Sequence, residues 1–583
     1  MRNFYKRIRN FILPLISKIR LALSMFSKRE RIILLILVFA LTVSAMVILE
    51  GLNKKFMVSV PMQGGSISEG IVGSPRFINP ILAYSSTDND LVSLVYSGLT
   101  RKNQDGTIIP DLAESYEISK DGLTYTFILK DKIFFQDGEP VTVDDIVFTI
   151  EKAKDPLTKS AEKTNWDGVT VQKIDEKTIK FSLKQPFASF LENTTLGILP
   201  EHLWVDSPIE INDYNINPIG SGPFQIVNVS KESNGVIKNI ELKSFQKFAL
   251  GKPYIKNITL NFYSNEEELI SALLSGNVEQ ASSITPKNAE LLKEKNYVIK
   301  SSVLPRVFGL FFNQNQNQIF TNKKIVEAID LSIDKDRIIK EVFSGYGVAI
   351  DEPIPPNMVS YQKQNEKNNS SADENFKKAQ EILAKDGWEK GEDGYLKKTT
   401  TVKKKKTIST IEFSISTGNT SELVATAEII RQNLTALGMK VDVKTFEVGN
   451  LNQSVIRPRK YDALLFGEII NHESDLYAFW HSSQRKDPGL NVAMYTNAKA
   501  DKILEDAFTM TNQDAREKKY AQFEDEIKKD MPAVFIYSPN FIYVVSKNLK
   551  GVSINTITSS SDRFLNSYLW YINTDNVWEI FSK

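Results

Sequence analysis

The chain contains no cysteine. That absence excludes disulfides, cysteine-ligated zinc, thiol catalysis and lipidation on cysteine. Histidine is nearly as scarce, with three in 583 residues, His202, His472 and His481. The last two are nine positions apart, which is not the i, i+4 spacing of a helical metal pair. No GxSxG elbow, phosphate-binding P-loop, HExxH or GxGxxG occurs, so no nucleophile–base set or nucleotide cradle is visible. Neither an enzyme nor a bound cofactor is expected. Charge of one sign is lacking as well, for the formal net charge is +1. Residues 1–50 hold nine Lys or Arg and two Glu, so the remainder is mildly acidic. An acidic body gives no electrostatic footprint for nucleic acid.

One long apolar run is present. Ile32 to Leu49 reads IILLILVFALTVSAMVIL, eighteen residues without a charge. As a helix it spans about 27 Å, enough for a hydrocarbon core. Lys28, Arg29 and Arg31 precede it, and the positive-inside rule places that end in the cytoplasm and the body outside. A cleaved signal peptide is the alternative. Its apolar core would be shorter and followed by small residues at a cleavage site, and "LEGLNKKF" offers no such site. We therefore expect a basic cytoplasmic segment over 1–31, a transmembrane anchor over 32–49 and a linker over 50–65. Phe4 to Phe26 is basic and amphipathic, fit to lie on an anionic inner leaflet or to form a basic tail.

Three Asp-Gly pairs, at 105–106, 121–122 and 137–138, recur every sixteen residues. A calcium loop needs several oxygen ligands at alternate positions, whereas apolar residues fill these gaps. Turns are the simpler reading. Leu123, Tyr125, Phe127 and Leu129 alternate as a strand, and Ile133 to Phe135 read as the start of a second one, giving a β-meander.

Helices alternate with strands thereafter. Thr142 to Asp145 resembles a capping box ahead of Ile146, Ile150 and Ala153. Glu266 to Ser275 reads as a helix stopped by Gly276, and Asp334 as an N-cap. Leu423, Ala427, Ile430, Leu434 and Leu437 line one helix face, followed by Gly438 and the strand KVDVKTF. This is α/β alternation. The lysine run 403–406 lacks interleaved aromatics and reads as a solvated hairpin or loop rather than a phosphate or nucleic-acid patch.

A set of motifs then appears in order. The first is FINPILAYSSTDNDLVSLVYSGLTRKNQDGTIIPDLAESYEISKDGLTYTFILKDKIFFQDGEPVTVDDIVFTIE, followed by ILPEHLW, NPIGSGPFQIV and ALGKPYIKNITLNFYSNEEELISALLSGNVEQAS. Next come FTNKKIVEAIDLSIDKDRIIKEVFSGYGVAIDEPIPP, AQEILAKDGW, YDALLFG and NVAMYTNAKADKILEDA. Across roughly residues 65–545 the chain resembles the family 5 extracellular solute-binding proteins, which deliver peptides, nickel or other solutes to ABC importers. The resemblance implies a two-lobed α/β fold of the type II periplasmic-binding-protein kind. Lobe I (66–305) would include a β-rich subdomain over about 100–195, lobe II would cover 306–535, and residues 536–583 would return to lobe I. It also implies a monomer whose partners are a peptide or other small solute, such as a nickel chelate or a sugar, and ABC permease subunits. A sensory or cell-surface interaction protein is the rival from another class.

In peptide-binding relatives an aspartate after the YDALLFG strand holds the ligand ammonium. Here the best-aligned position, Asn471, is neutral, with Glu468, Glu473 and Asp475 nearby. The resemblance therefore places ligand contacts between Glu468 and Trp480, a carboxylate reading a positive end and Tyr477, Phe479 or Trp480 stacking on it.

Overall fold

The computed structural model describes residues 21, 25–187, 189–356, 358, 371–402, 405–472 and 474–581. Most of the amphipathic stretch 4–26, Lys403, Lys404 and Glu473 lie outside these. The described chain separates into two compact units.

The smaller unit joins the chain up to Met62 with Asn573 onward. Its helix, Lys28–Phe56, starts at Ser27 with a reciprocal cap: the Glu30 amide donates to Ser27 Oγ at 3.4 Å and the Ser27 amide to Glu30 Oε2 at 2.7 Å. The 26 residues Lys28–Asn53 are long and apolar enough to cross a membrane. Regular structure occupies the first part of the expected linker over 50–65. The helix runs on to Phe56, and Met57–Pro61 is a strand paired antiparallel with Thr574–Trp578. That pairing groups Asn573 onward with the smaller unit.

The larger unit is the body. Among the described residues its main sheet has 12 strands, mixed parallel and antiparallel. The strand Ala533–Val545 organises it. Its side chains are buried on both faces except at Pro539 and Asn540, as expected of a central strand. Before that break it pairs with Arg306–Phe312 and supplies Val534, Ile536 and Tyr537 to a core with Leu310 and Phe312. After the break it pairs with Val298–Val303, and Phe541 and Tyr543 enter a different core with Ile67 and Leu260. Leu304 and Pro305 separate those two partner strands. The chain thus crosses between two lobes on two adjacent strands. A proline at the crossing is tolerated because no ladder N–H is needed there.

The β-rich part is an antiparallel sheet ordered Ala113–Ile118, Thr124–Leu129, Thr178–Ser182, Thr170–Lys173. All three Asp-Gly pairs make the same turn. Each aspartate Oδ1 accepts from the amide two residues on, at 3.0 Å from Thr107, 3.1 Å from Leu123 and 3.1 Å from Glu139, and each glycine has positive φ. The second meander strand does not form. Phe134 makes one isolated bridge to Pro140, because the Phe135 amide closes a tight turn on the Glu139 carbonyl and the place beside Thr124–Leu129 is taken by Thr178–Ser182. The helices expected from local signals form as Val143–Lys154, Glu266–Leu274, Lys335–Glu341 and Ser421–Leu437.

One ionic cluster ties the late chain into the first lobe. Arg563 Nε donates to Glu69 at 2.8 Å, and its two terminal nitrogens donate to Asp90 at 2.7 and 2.8 Å. The Tyr543 hydroxyl donates to the other Glu69 oxygen at 2.8 Å. Burial raises the pKa of both carboxylates, and the guanidinium opposes that rise.

Candidate solute cleft

The strand Ala463–Ile469 pairs with Arg306–Phe312 beside the crossing. Its register sets Glu468 directly opposite Val307. Paired residues share a face, and Val307 is fully buried with Phe311, Trp480 and Phe535. Glu468 is therefore inside, 1% exposed, with Oε2 lacking a hydrogen-bond partner. Burial pushes its pKa well up, against a smaller lowering by Trp480. Trp480 is also interior, 0% exposed, with Phe535 at 5.8 Å and Tyr495 at 6.2 Å between ring centroids. These two expected contact residues are packing positions. The helix Asp475–Trp480 turns its last residue back under the sheet, so stacking on a solute is not open to that ring.

Asn471 is exposed, and Asp475 is partly buried. Asp475 Oδ2 accepts from the His472 amide at 3.0 Å, and burial raises its pKa against that bond. His472 faces the β-rich part, where its Nδ1 pairs with Glu192 on the short helix Phe190–Asn193. Burial alone would lower the His472 pKa. Glu192, with a smaller push from Asp475, more than reverses this, so the imidazole titrates above its ordinary 6.5. Glu162 belongs to the same field, and burial raises its pKa. Aromatic side chains continue the seam. Phe187 of the β-rich part stacks on Phe508 at 5.3 Å, Phe508 meets Tyr477 at 5.8 Å, and Tyr477 stacks on His481 at 4.2 Å. The seam joins the loop after the strand Ala463–Ile469 to the β-rich part through an ion pair, several rings and an excess of carboxylates.

Sequence reasoning missed Glu192 and Glu162, whose partners are distant in the chain and whose local sequence carries no motif. It also missed Arg306, the first residue beyond Pro305. The Arg306 Nε has no hydrogen-bond partner, burial lowers its pKa, and no carboxylate is paired with it among the described residues. The signal for it was an arginine opening the apolar strand RVFGLFF. A separate depression of about 550 Å³, lined by residues that include Arg76, Lys231 and Val236, shares no residue with the seam.

Comparison with known proteins places this geometry. The model of the bacterial extracellular solute-binding proteins, family 5, matches residues 107–488. The oligopeptide-binding protein AppA of Bacillus subtilis is 28% identical over 503 residues, covering 84% of this chain and 89% of that one. The structure of AppA from Bacillus subtilis in complex with a nonapeptide superposes with a TM-score of 0.64 at 26% identity, over 88% of this chain and 100% of that chain. NikZ from Campylobacter jejuni in complex with Ni(L-His) superposes with a TM-score of 0.67 at 26% identity, over 87% of this chain and 99% of that chain.

Proposed function

The chain belongs to the bacterial extracellular solute-binding proteins of family 5, and we propose that it captures peptides outside the cell and hands them to an ABC importer. The helix Lys28–Phe56 tethers it to the membrane as a single span, with the basic N-terminal residues in the cytoplasm. Lobe I takes the chain from about 66 to 305 and from the second half of the crossing strand to Ile572. Lobe II lies between. The lobes close about the two crossing strands and exclude water from the bound solute.

The carrying observation is the seam. It brings Glu162, Glu192 and Asp475 into one partly buried field, with the His472 imidazole and, more weakly, Lys102 as the positive groups. Such a field suits a solute ammonium, which a carboxylate holds by a charge-assisted bond. Asp475 takes that role, with Asn471 beside it and Tyr477 and Phe508 as the apolar wall. Arg306, mostly buried without a counter-charge, suits the opposite end of a zwitterion. An extended peptide held between them through its own backbone is read loosely in its side chains. As a solute-binding protein it returns its ligand intact.

Native mass spectrometry of the purified chain tests this. Co-purifying masses should resolve into peptides, and calorimetry with those peptides should give saturable binding that depends on the free amine. A bound nickel chelate, to which the likeness to NikZ points, or a sugar, would replace the peptide reading.

A further inference from the structure

The pairing of the two ends of the chain sets a second apolar surface beside the anchor. Met57 begins a strand directly after the helix ends at Phe56, and Trp578 is its partner in an antiparallel register. The strand Thr574–Trp578 therefore runs back toward the helix, and the turn Glu579–Phe581 follows it in that direction. The Trp578 indole N–H donates to Asn53 Oδ1 at 2.5 Å, one helical turn inside the helix end. Asn53 is four residues past Leu49, where the uncharged run stops, or about 6 Å along the axis. That is headgroup depth, where tryptophan rings are enriched on membrane proteins. Apolar side chains at this level are uncovered, alongside the exposed Lys55 and Glu579. Leu52 is 48% exposed, Phe56 50%, Trp578 47% and Ile580 74%.

We infer that the C-terminal strand and turn form a second membrane contact, with Trp578 and Ile580 seated in the headgroup–acyl boundary of the outer leaflet next to the anchor. The inference rests on the reading of Lys28–Phe56 as a retained membrane span. Continuity selects lipid as the occupant, because the exposed residues extend the apolar surface of a helix that itself has no cover in the protein. The hydrogen bond to Asn53 and the strand ladder hold the C-terminal turn at that depth, so an amphipathic ring meets the boundary with its polar edge already satisfied.

A chain without cysteine allows single-site labelling. Leu35→Cys, Ile580→Cys and Val236→Cys, each in the full chain, are labelled with a small environment-sensitive fluorophore. They are reconstituted with the body outward in phosphatidylcholine–phosphatidylglycerol vesicles without any permease. The label at 580 should lose most of its emission to nitroxide lipids carrying the spin near the headgroup and resist aqueous iodide. The label at 236, on the body, should do the reverse. The label at 35 should respond to nitroxides deep in the acyl chain. If 35 responds to lipid while 580 is quenched by iodide, the anchor stands and the C-terminal contact is overturned. If 35 itself is open to iodide, both the anchor and the contact fail.

Discussion

Two of the charge clusters in this body are built oppositely. Around Arg563 every charged group lies in one lobe, fully enclosed, and the guanidinium makes hydrogen bonds to both carboxylates. Around His472 the partners come from the two lobes, the side chains are 37% and 34% exposed for His472 and Glu192, and a single ion pair spans them. A satisfied cluster within one core can only hold it together, because opening it strands charges in low dielectric. A half-exposed pair between lobes can part at small cost, since water takes over its hydrogen bonds. The first is a rivet, the second a latch.

The comparison breaks most visibly at Arg563. Arg563→Met leaves Glu69 and Asp90 buried without their cation and should cost about 3–5 kcal/mol of stability, read as a lowered urea midpoint. Adding Glu69→Gln and Asp90→Asn should recover part of the loss. A single variant as stable as the parent would remove the distinction.

Next in size is the seam's hold on solute. Asp475→Asn keeps an acceptor for the His472 amide, so the fold should persist. Affinity for peptides with a free amine should fall about tenfold to a hundredfold, the equivalent of about 1.5–3 kcal/mol for a charge-assisted bond, with N-acetylated peptides unaffected. Calorimetry on both ligand sets decides it.

The latch predicts a smaller effect of pH. The His472 pKa is raised by Glu192, so the ion pair is fully present below 6.5 and is lost as pH rises through the raised value. Glu162 and Asp475, also raised by burial, oppose this only on the acid side. Peptide affinity should therefore weaken at alkaline pH by a factor of about five at most, since an exposed pair contributes about 0.2–1 kcal/mol. His472→Gln should flatten the profile.

The least change is expected at Glu468, a buried carboxyl outside both clusters. Glu468→Met should be neutral or slightly stabilising, within about 1 kcal/mol, and should leave peptide affinity alone. A large loss of affinity would return Glu468 to the binding site.

What the sequence revealed was local. The Asp-Gly turns, the Thr142 capping box and the face from Leu423 to Leu437 depend on neighbours a few residues away, and each forms as read. Glu468 looked like a candidate contact because it follows a recognisable strand. Its burial follows from its pairing with Val307, which no local pattern announces. Trp480 was expected to stack on a solute, yet a short helix carries it into the core. His472 and Glu192, or Met57 and Trp578, meet only after the fold has closed long intervals of chain.

The central claim is that the seam is a closing surface between lobes. Fluorophores on Leu157→Cys and Val448→Cys, exposed positions on the two lobes, report it by single-molecule energy transfer. With saturating peptide the molecules should gather into one high-transfer population, and Asp475→Asn should need more peptide to reach it. An unchanged distribution at proven saturation would mean that the lobes do not close on solute, and the account would be wrong.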